Sequence, residues 1–476
     1  MSTPNFSPAD IAAAVGKKFA PTDEQAQVIA GGLGPKLVTA GAGAGKTETM
    51  ASRVVSLVAN GLVRPEQVLG LTFTRKAAQQ LEQRIRKSLI QLRDTGLFAP
   101  GSEVAKSLES IAPKVSTYDS YAGELVREYG LYLPVEPSAR LITDAERFAI
   151  AHEIVSNFEG EMTTKTSVAT VAQTVLKLAD NMGNVLMSEE DIREHARIML
   201  SDAAELPKAR KSGPEFSQEL QKILDVQRIR VEYLELVAAV QAEQHAQGVV
   251  SFGEQMSFAA RVAAANPGIG AIQRQRYRVV MLDEYQDTSH SQRVLLRSLF
   301  GGTAHPNLSV TAVGDPMQAI YGWRGATTEN LNEFVRDFPV DDSTPAPQDQ
   351  LTVSWRNPSR VLDLANVVAD DIFAGANPRP VDRLSARPGA DDGDVQLGYF
   401  ESQEKEREFV ARHMRAIYDK TQENKEPLSA AILVRTNRHA AEIARHLEAE
   451  GVPYEIVGLG GLLWEPEIQD LVALAT

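Results

Sequence analysis

Hydrophobic and polar positions follow two different periods along this chain. "KLVTA" (Lys36 to Ala40), "VLGLT" (Val68 to Thr72) and "VVML" (Val279 to Leu282) are apolar almost throughout. Such runs read as strands of a parallel sheet buried on both faces. After the first run, Met50, Val54, Val55 and Val58 share one helical face that stops at Gly61. After the second, Ala78, Leu81, Ile85, Leu89 and Leu92 make another such stripe. "TDAERFAIAHEIV", "SVATVAQTVLKLADNM" and "EFSQELQKILDVQRIRVEYLELVAAVQAEQHAQG" are helical in period with no strands between them, and Thr143 with Asp144 reads as a helix cap. "VDDSTPAPQDQ" (Val340 to Gln350) is polar, carries proline and reads as a linker. Beyond it, strand-like "DQLTVS" and "AAILVRT" alternate with helical "PSRVLDLANVVADDI" and "NRHAAEIARHLEAEG", which predicts a second parallel α/β unit. "ANPRPVDRLSARPGADDGD" reads as an exposed loop within it.

Composition narrows this picture. The chain's 476 residues are too many for one core, so at least two domains are expected. It is 43% hydrophobic and 24% charged, ordinary for a soluble globular protein. No apolar run reaches the roughly 20 residues that cross a bilayer, and the N-terminus lacks the pattern of a secretory signal. Cysteine is absent, which excludes disulfides and thiolate-held metals here and suits a cytoplasmic location. The net charge of −14 argues against a purely electrostatic DNA coat but leaves room for a local basic groove.

The chemistry starts at "VTAGAGAGKTETM". Strand, small-residue loop and a helix opening with Gly45, Lys46 and Thr47 form the arrangement of a phosphate-binding P-loop. Small residues let backbone N–H groups approach phosphates, and the helix N-terminus adds positive potential. The loop from Ala40 through Gly41, Ala42, Gly43, Ala44 and Gly45 is then the candidate cradle, with alanine at its first position in place of glycine. Lys46 would reach the β- and γ-phosphates of ATP and the Thr47 hydroxyl would bind Mg²⁺. Asp283 and Glu284 follow the third apolar run, where an open α/β sheet delivers charge to its C-terminal edge. Asp283 would hold Mg²⁺, and Glu284 would orient and deprotonate the attacking water.

Read in order, these motifs resemble those of the superfamily 1 DNA helicases of the UvrD, Rep and PcrA type, from about Phe19 to Thr476. "FAPTDEQAQVI" resembles the family's Q motif, which implies that Gln25 reads the adenine edge. "GLTFTRKAAQQLEQRI", "STYDSYAGELV", "LDEYQDTSHSQ" and "LTVSWRNPSRVLDLAN" resemble four more, and "VGDPMQAIYGWRGA" matches at almost every position. The resemblance implies Gln318 at the γ-phosphate or attacking water and Arg356 at the γ-phosphate. It places Phe73, Thr74, Arg75, Tyr321, Trp323 and Arg324 along a DNA strand. Tyr321 and Trp323 offer flat faces for unpaired bases, each stack worth roughly 1–3 kcal/mol; core packing is the competing reading for Phe73 and Trp323. Two departures stand out. Glu48 occupies the place of an arginine that packs on adenine in relatives, and Trp355 replaces the tyrosine of the other face. Asp119 stands where relatives have histidine and would repel a phosphate.

The implied fold is α/β, a P-loop NTPase with RecA-like parallel sheets. Residues 1–116 and 277–339 would form RecA-like domain 1A, 117–276 a helical 1B insertion, 340–350 a linker and 351–476 part of domain 2A. The 2B domain and the motifs carrying an arginine finger are not matched in this sequence. Since such a finger is worth about 10³–10⁵ in turnover, slow hydrolysis and poor unwinding are expected of these residues alone. The implied activity is an ATP- and Mg²⁺-dependent 3′ to 5′ helicase or translocase acting on single-stranded DNA and single/double-strand junctions in repair or recombination, without a membrane role. The alternative is a non-catalytic scaffold subunit of a helicase–nuclease complex. A scaffold has no use for Lys46, Thr47, Asp283, Glu284 and Gln318 together.

Overall fold

The computed structural model describes residues 6–132, 136, 138–160, 162–206, 216–322, 325–326, 329–375, 379–424 and 429–457. Its strands are β1 (Lys36–Ala40), β2 (Val68–Thr72), β3 (Lys114–Thr117), the short pair β4 (Arg140–Leu141) and β5 (Val249–Val250), then β6 (Val279–Leu282), β7 (Ser309–Gly314) and β8 (Gln348–Leu351), and a last pair, β9 (Val353–Ser354) and β10 (Ser385–Ala386). Six of them form one sheet in the order β3-β2-β6-β7-β1-β8, parallel at every pairing. Successive side chains of a strand point to opposite faces, so an all-apolar run needs cover on both. It has it. Val279 and Met281 join Val38, Val68 and the helix Lys46–Ala59 in one buried cluster, while Val280 and Leu282 join Leu37, Leu69 and Leu71 in another. The helix Arg75–Asp94 buries Ala78, Leu81, Ile85, Leu89 and Leu92 against the sheet.

Parallel alignment brings every strand's C-terminal end to one edge. There β1 runs into the Gly41–Gly45 loop, β6 into Asp283 and Glu284, β7 into Asp315–Gln318, and β2 into Phe73. β7 lies between β6 and β1, so the β7 loop stands between the P-loop and the acidic pair.

The helical stretch between β3 and β6 has its own core. The helices Asp144–Ser156, Val168–Val185 and the 29-residue Gln218–Ala246 bury Ile150, Val155, Val171, Val175, Leu234 and Val237 together. The flanking helices Tyr118–Tyr129 and Phe252–Ala265 instead put Tyr121, Leu125, Met256 and Ala260 into the sheet's own core. The insertion is therefore tied to the sheet through apolar contacts at both of its ends.

Two readings from polarity and period differ from the structure. Gln348–Gln350, expected in a linker, belong to β8 at the sheet's edge. An edge strand has one side open to water and tolerates polar residues; Asp349 there pairs with Lys36 and accepts from Gln27. The chain divides into two compact units, to Gly393 and from Asp394. In the second, the helices Gln403–Asn424 and Asn437–Ala449 meet around Ala411 and Leu447. "AAILVRT" forms no strand among the described residues, and Leu433 within it is exposed. An apolar run becomes a strand only when a neighbouring ladder takes its backbone groups. No helix among the described residues is long and apolar enough to cross a membrane.

Candidate nucleotide-binding site

Backbone geometry fixes the loop after β1. Gly43 and Gly45 sit at φ +78 and +85, the left-handed region that side chains other than glycine rarely enter. At Gly43 an added Cβ would also lie 2.5 Å from Ser354 Oγ and 2.8 Å from Arg356 Cβ. Protein donors take the loop's carbonyls: Ser354 Oγ and Asn357 Nδ2 reach Ala42 O at 3.0 and 3.2 Å, Trp355 N reaches Gly43 O at 2.9 Å, and Gln25 Nε2 reaches Ala44 O at 3.1 Å. A trans peptide points its N–H opposite to its C=O, so the amides of Gly43 and Gly45 face the other way. Gly45 is also the N-cap of the helix Lys46–Ala59, with no side-chain cap in the way. That is a ready anion cradle.

Lys46 and the acidic pair meet. Lys46 Nζ lies 3.7 Å from Glu284 Oε2, its own side chain largely buried. Glu284 has left-handed backbone angles (φ 51, ψ 42), an uncommon conformation for a side-chain-bearing residue that costs on the order of 1 kcal/mol. Gln286 Nε2 donates to Glu284 Oε2 at 2.9 Å. Asp283 is only 5% exposed, and its carboxyl is pushed up to about 7, first by burial and then by the Glu284 charge, with Lys46 opposing. The backbone N–H of Glu284 donates to Asp283 Oδ1 at 3.2 Å. A buried carboxylate beside a like charge fits a divalent cation, and the Thr47 hydroxyl at the start of the helix Lys46–Ala59 would add a second hard oxygen of the kind Mg²⁺ takes. Among the described residues no group of three or more His, Cys, Asp or Glu is placed to hold a metal. Mg²⁺ would thus depend on phosphate oxygens as well.

The Asp283 shift has a consequence for stability. The folded state keeps a proton that the unfolded chain gives up near 3.8. The penalty on folding is absent below the unfolded value, grows as pH rises, and is complete above about 7. Asp283→Asn keeps an acceptor for the Glu284 N–H and removes the charge. It is expected to stabilise the nucleotide-free protein by on the order of 4 kcal/mol at pH 8 and by less than about 1 kcal/mol at pH 4, as read from denaturant midpoints at the two pH values.

Beside the loop lies a largely apolar cavity of about 270 Å³, lined by Ile11, Phe19, Gln25, Glu48, Trp355 and neighbouring residues. Phe19 and Trp355 face each other at 5.2 Å with their planes tilted 46°. Gln25 is held by its own capping box, Oε1 accepting from Thr22 N at 3.1 Å. Each end of its amide still has one hydrogen-bonding position left for a base edge. Glu48 is bound by Lys17 at 2.6 Å and Arg84 at 3.1 Å. Sequence reasoning missed Phe19, Lys17 and Arg84, and the pairing of Glu48 is legible only in three dimensions because its partners come from other elements.

Of the residues expected along a DNA strand, Phe73 is half-buried and packs on Tyr118 at 4.8 Å, and Tyr118 Oη donates to Asp283 O at 3.2 Å. Thr74 spends its hydroxyl as the N-cap of the helix Arg75–Asp94, accepting from Ala77 N at 3.1 Å, while Arg75 is exposed. Gln318 Nε2 donates to Asp315 Oδ2 at 2.6 Å, and Tyr321 is half-buried at the end of the same loop. Arg356 is exposed beside Gly43. Trp323 and Arg324 lie outside the described residues.

Comparison with known proteins agrees with these motifs. Residues 21–339 match the model of the UvrD/REP helicase N-terminal domain, and residues 350–476 that of the UvrD-like helicase C-terminal domain. The chain is 28% identical to the ATP-dependent DNA helicase UvrD1 of Mycobacterium tuberculosis over 94% of its own length and 51% of that protein's. It is 25% identical to the ATP-dependent DNA helicase PcrA of Leuconostoc citreum (95% and 51%) and 24% identical to the ATP-dependent DNA helicase Rep of Escherichia coli (94% and 57%). It spans about half the length of the curated relatives it matches.

Proposed function

The chain belongs to the UvrD/Rep helicase family, and from that premise we propose that it forms the ATP-binding, strand-gripping part of a DNA motor. The motor moves 3′ to 5′ on single-stranded DNA and serves repair or recombination. One observation carries the reading: Lys46 and Glu284 meet at 3.7 Å across a sheet edge whose intervening strand, β7, leads into the loop bearing Gln318 and Tyr321.

Each residue then has a task. The cavity lined by Phe19 and Trp355 takes the base and Gln25 reads its edge. The amides of the Gly41–Gly45 loop hold the phosphates. Lys46 exchanges its Glu284 partner for the β- and γ-phosphates, which frees the Glu284 carboxylate to orient water and accept its proton. Thr47 and Asp283 would hold Mg²⁺, which neutralises phosphate charge when bound. Gln318 and Arg356 lie on loops that flank the γ-phosphate position. Phe73, Thr74, Arg75, Tyr321, Trp323 and Arg324 are assigned to gripping the strand.

The test is ATP turnover with and without oligo-dT, together with displacement of streptavidin from biotin at either DNA end. Turnover that rises several-fold on oligo-dT, with displacement from the 5′ end alone, supports the motor. DNA binding with no turnover at all supports a scaffold within a helicase–nuclease assembly.

A further inference from the structure

The side chain of Gln286 makes three hydrogen bonds from an almost fully buried position, 1% exposed. Its Nε2 donates to Glu284 Oε2 at 2.9 Å and lies 3.3 Å from Asp287 Oδ2. Its Oε1 accepts from Asp315 N at 3.0 Å. One amide thus touches the carboxylate assigned to the attacking water, a second carboxylate, and the first residue of the β7 loop.

That loop is rigid around Asp315. The Asp315 carboxylate accepts from Met317 N at 3.0 Å and from Gln318 Nε2 at 2.6 Å, and Gln318 N donates to Asp315 O at 2.9 Å. Farther along, the backbone of Ile320 and Tyr321 hydrogen-bonds to the Asp287 carboxylate. Gln286 therefore borders the loop at its start and, through Asp287, near its end. Close approach is built in. A Cβ on Gly314 would stand 2.7 Å from Gln286 Oε1, so a side chain at 314 would push the amide off the loop.

We propose that Gln286 is the positioning residue that makes nucleotide occupancy and grip on the strand interdependent, a proposal that rests on the motor reading above. In the structure Glu284 Oε2 is shared by Lys46 and Gln286. When Lys46 turns to the phosphates, Glu284 loses its cation and its side chain reorients, because its backbone is already confined to the left-handed region. Gln286 either follows Glu284 or releases it. In both cases the amide's bond to Asp315 N changes, and the loop carrying Gln318 and Tyr321 shifts with it. A site-to-site effect needs contacts that differ between the two states. This amide is placed to supply them.

A purely structural role predicts something else, namely loss of folding or of both binding activities together. The distinguishing measurement is linkage, and it needs no turnover. Affinity for a fluorescent oligo-dT is measured by anisotropy on the full chain, with and without Mg·AMP-PNP. Wild type is expected to show two affinities that differ by about fivefold or more, the usual lower range of such coupling. Gln286→Leu removes all three bonds. Gln286→Met keeps an unbranched side chain of similar length without any of the three bonds or a buried like charge, and guards against a leucine variant that fails to fold. In both, the ratio is expected to fall close to one, with oligo-dT affinity alone and AMP-PNP affinity alone within about threefold of wild type. A folded variant that keeps the wild-type ratio overturns the proposal. So does loss of AMP-PNP or oligo-dT binding, or of folding, in both variants, which marks Gln286 as structural only. A wild type whose ratio is already one sinks the motor reading itself.

Discussion

Replacing Glu284 by glutamine is expected to lower ATP turnover by about 10²–10⁴-fold, the range a positioned general base contributes, while nucleotide binding stays the same or tightens. The retained binding follows from the ion pair. In the nucleotide-free protein Lys46 is shared with Glu284 at 3.7 Å, so phosphate must compete with a carboxylate for the same ammonium. Glutamine removes the competing charge and leaves Lys46 uncommitted. It also still accepts from Gln286, so the hydrogen bond now made at 2.9 Å has a partner. Steady-state turnover and titration with a fluorescent ATP analogue check the two halves separately. A Glu284→Gln protein that hydrolyses ATP at the wild-type rate would remove Glu284 from the chemistry. One that no longer binds nucleotide would give it a structural task instead.

Arg53 underlies the second large effect, and it lies outside the chemistry. It is completely buried on the helix Lys46–Ala59, with its pKa brought down to about 10 by burial, so it stays charged. Among the described residues no carboxylate contacts it directly, and its five hydrogen bonds there all go to neutral oxygens. Nη1 reaches Val28 O and Gly31 O at 2.7 Å, Nη2 reaches Gly32 O at 2.9 Å and Ser309 Oγ at 3.1 Å, and Nε reaches Thr311 Oγ1 at 3.1 Å. The guanidinium thereby ties the P-loop helix to the end of the helix Asp23–Ala30 and to β7. Arg53→Met is expected to cost on the order of 3–5 kcal/mol, because buried acceptors are left without donors. Arg53→Lys should not rescue it, since three donors on a point cannot replace a five-donor fork. Urea unfolding of the three proteins decides this; a methionine variant within about 1 kcal/mol of wild type would refute the assignment.

Neither effect is equally visible in one dimension. The Asp283–Glu284 pair stands directly after four apolar residues, and a buried parallel strand has only one way to deliver a charge, at its C-terminal end. Lys46 follows the small-residue loop for an equally local reason. Arg53 carries no such sign: it sits between Ser52 and Val54, and nothing nearby announces a buried cation. Gln286 is similar, a polar residue within "DEYQDT" whose contact with Asp315 exists only when β6 and β7 lie side by side. Asp349 and Gln350 fell both within the polar linker and within strand-like "DQLTVS", and only the pairing of β8 with β1 decides between the two. "AAILVRT" misled in the opposite direction, because its period fits a strand whether or not a ladder is there to receive it.

Local order along the chain was enough to determine a P-loop, an acidic pair at a strand end, a helical insertion between them and an α/β class. Each of these rests on contacts between near neighbours or on a period that burial imposes. Tertiary structure alone decided that Lys46 and Glu284 share one site, that Phe19 stands opposite Trp355, that Glu48 is neutralised by Lys17 and Arg84, and that Gln286 joins two loops. Those facts depend on strand order and helix packing, which bring residues from separate elements within a few ångströms, and no local pattern encodes such distances.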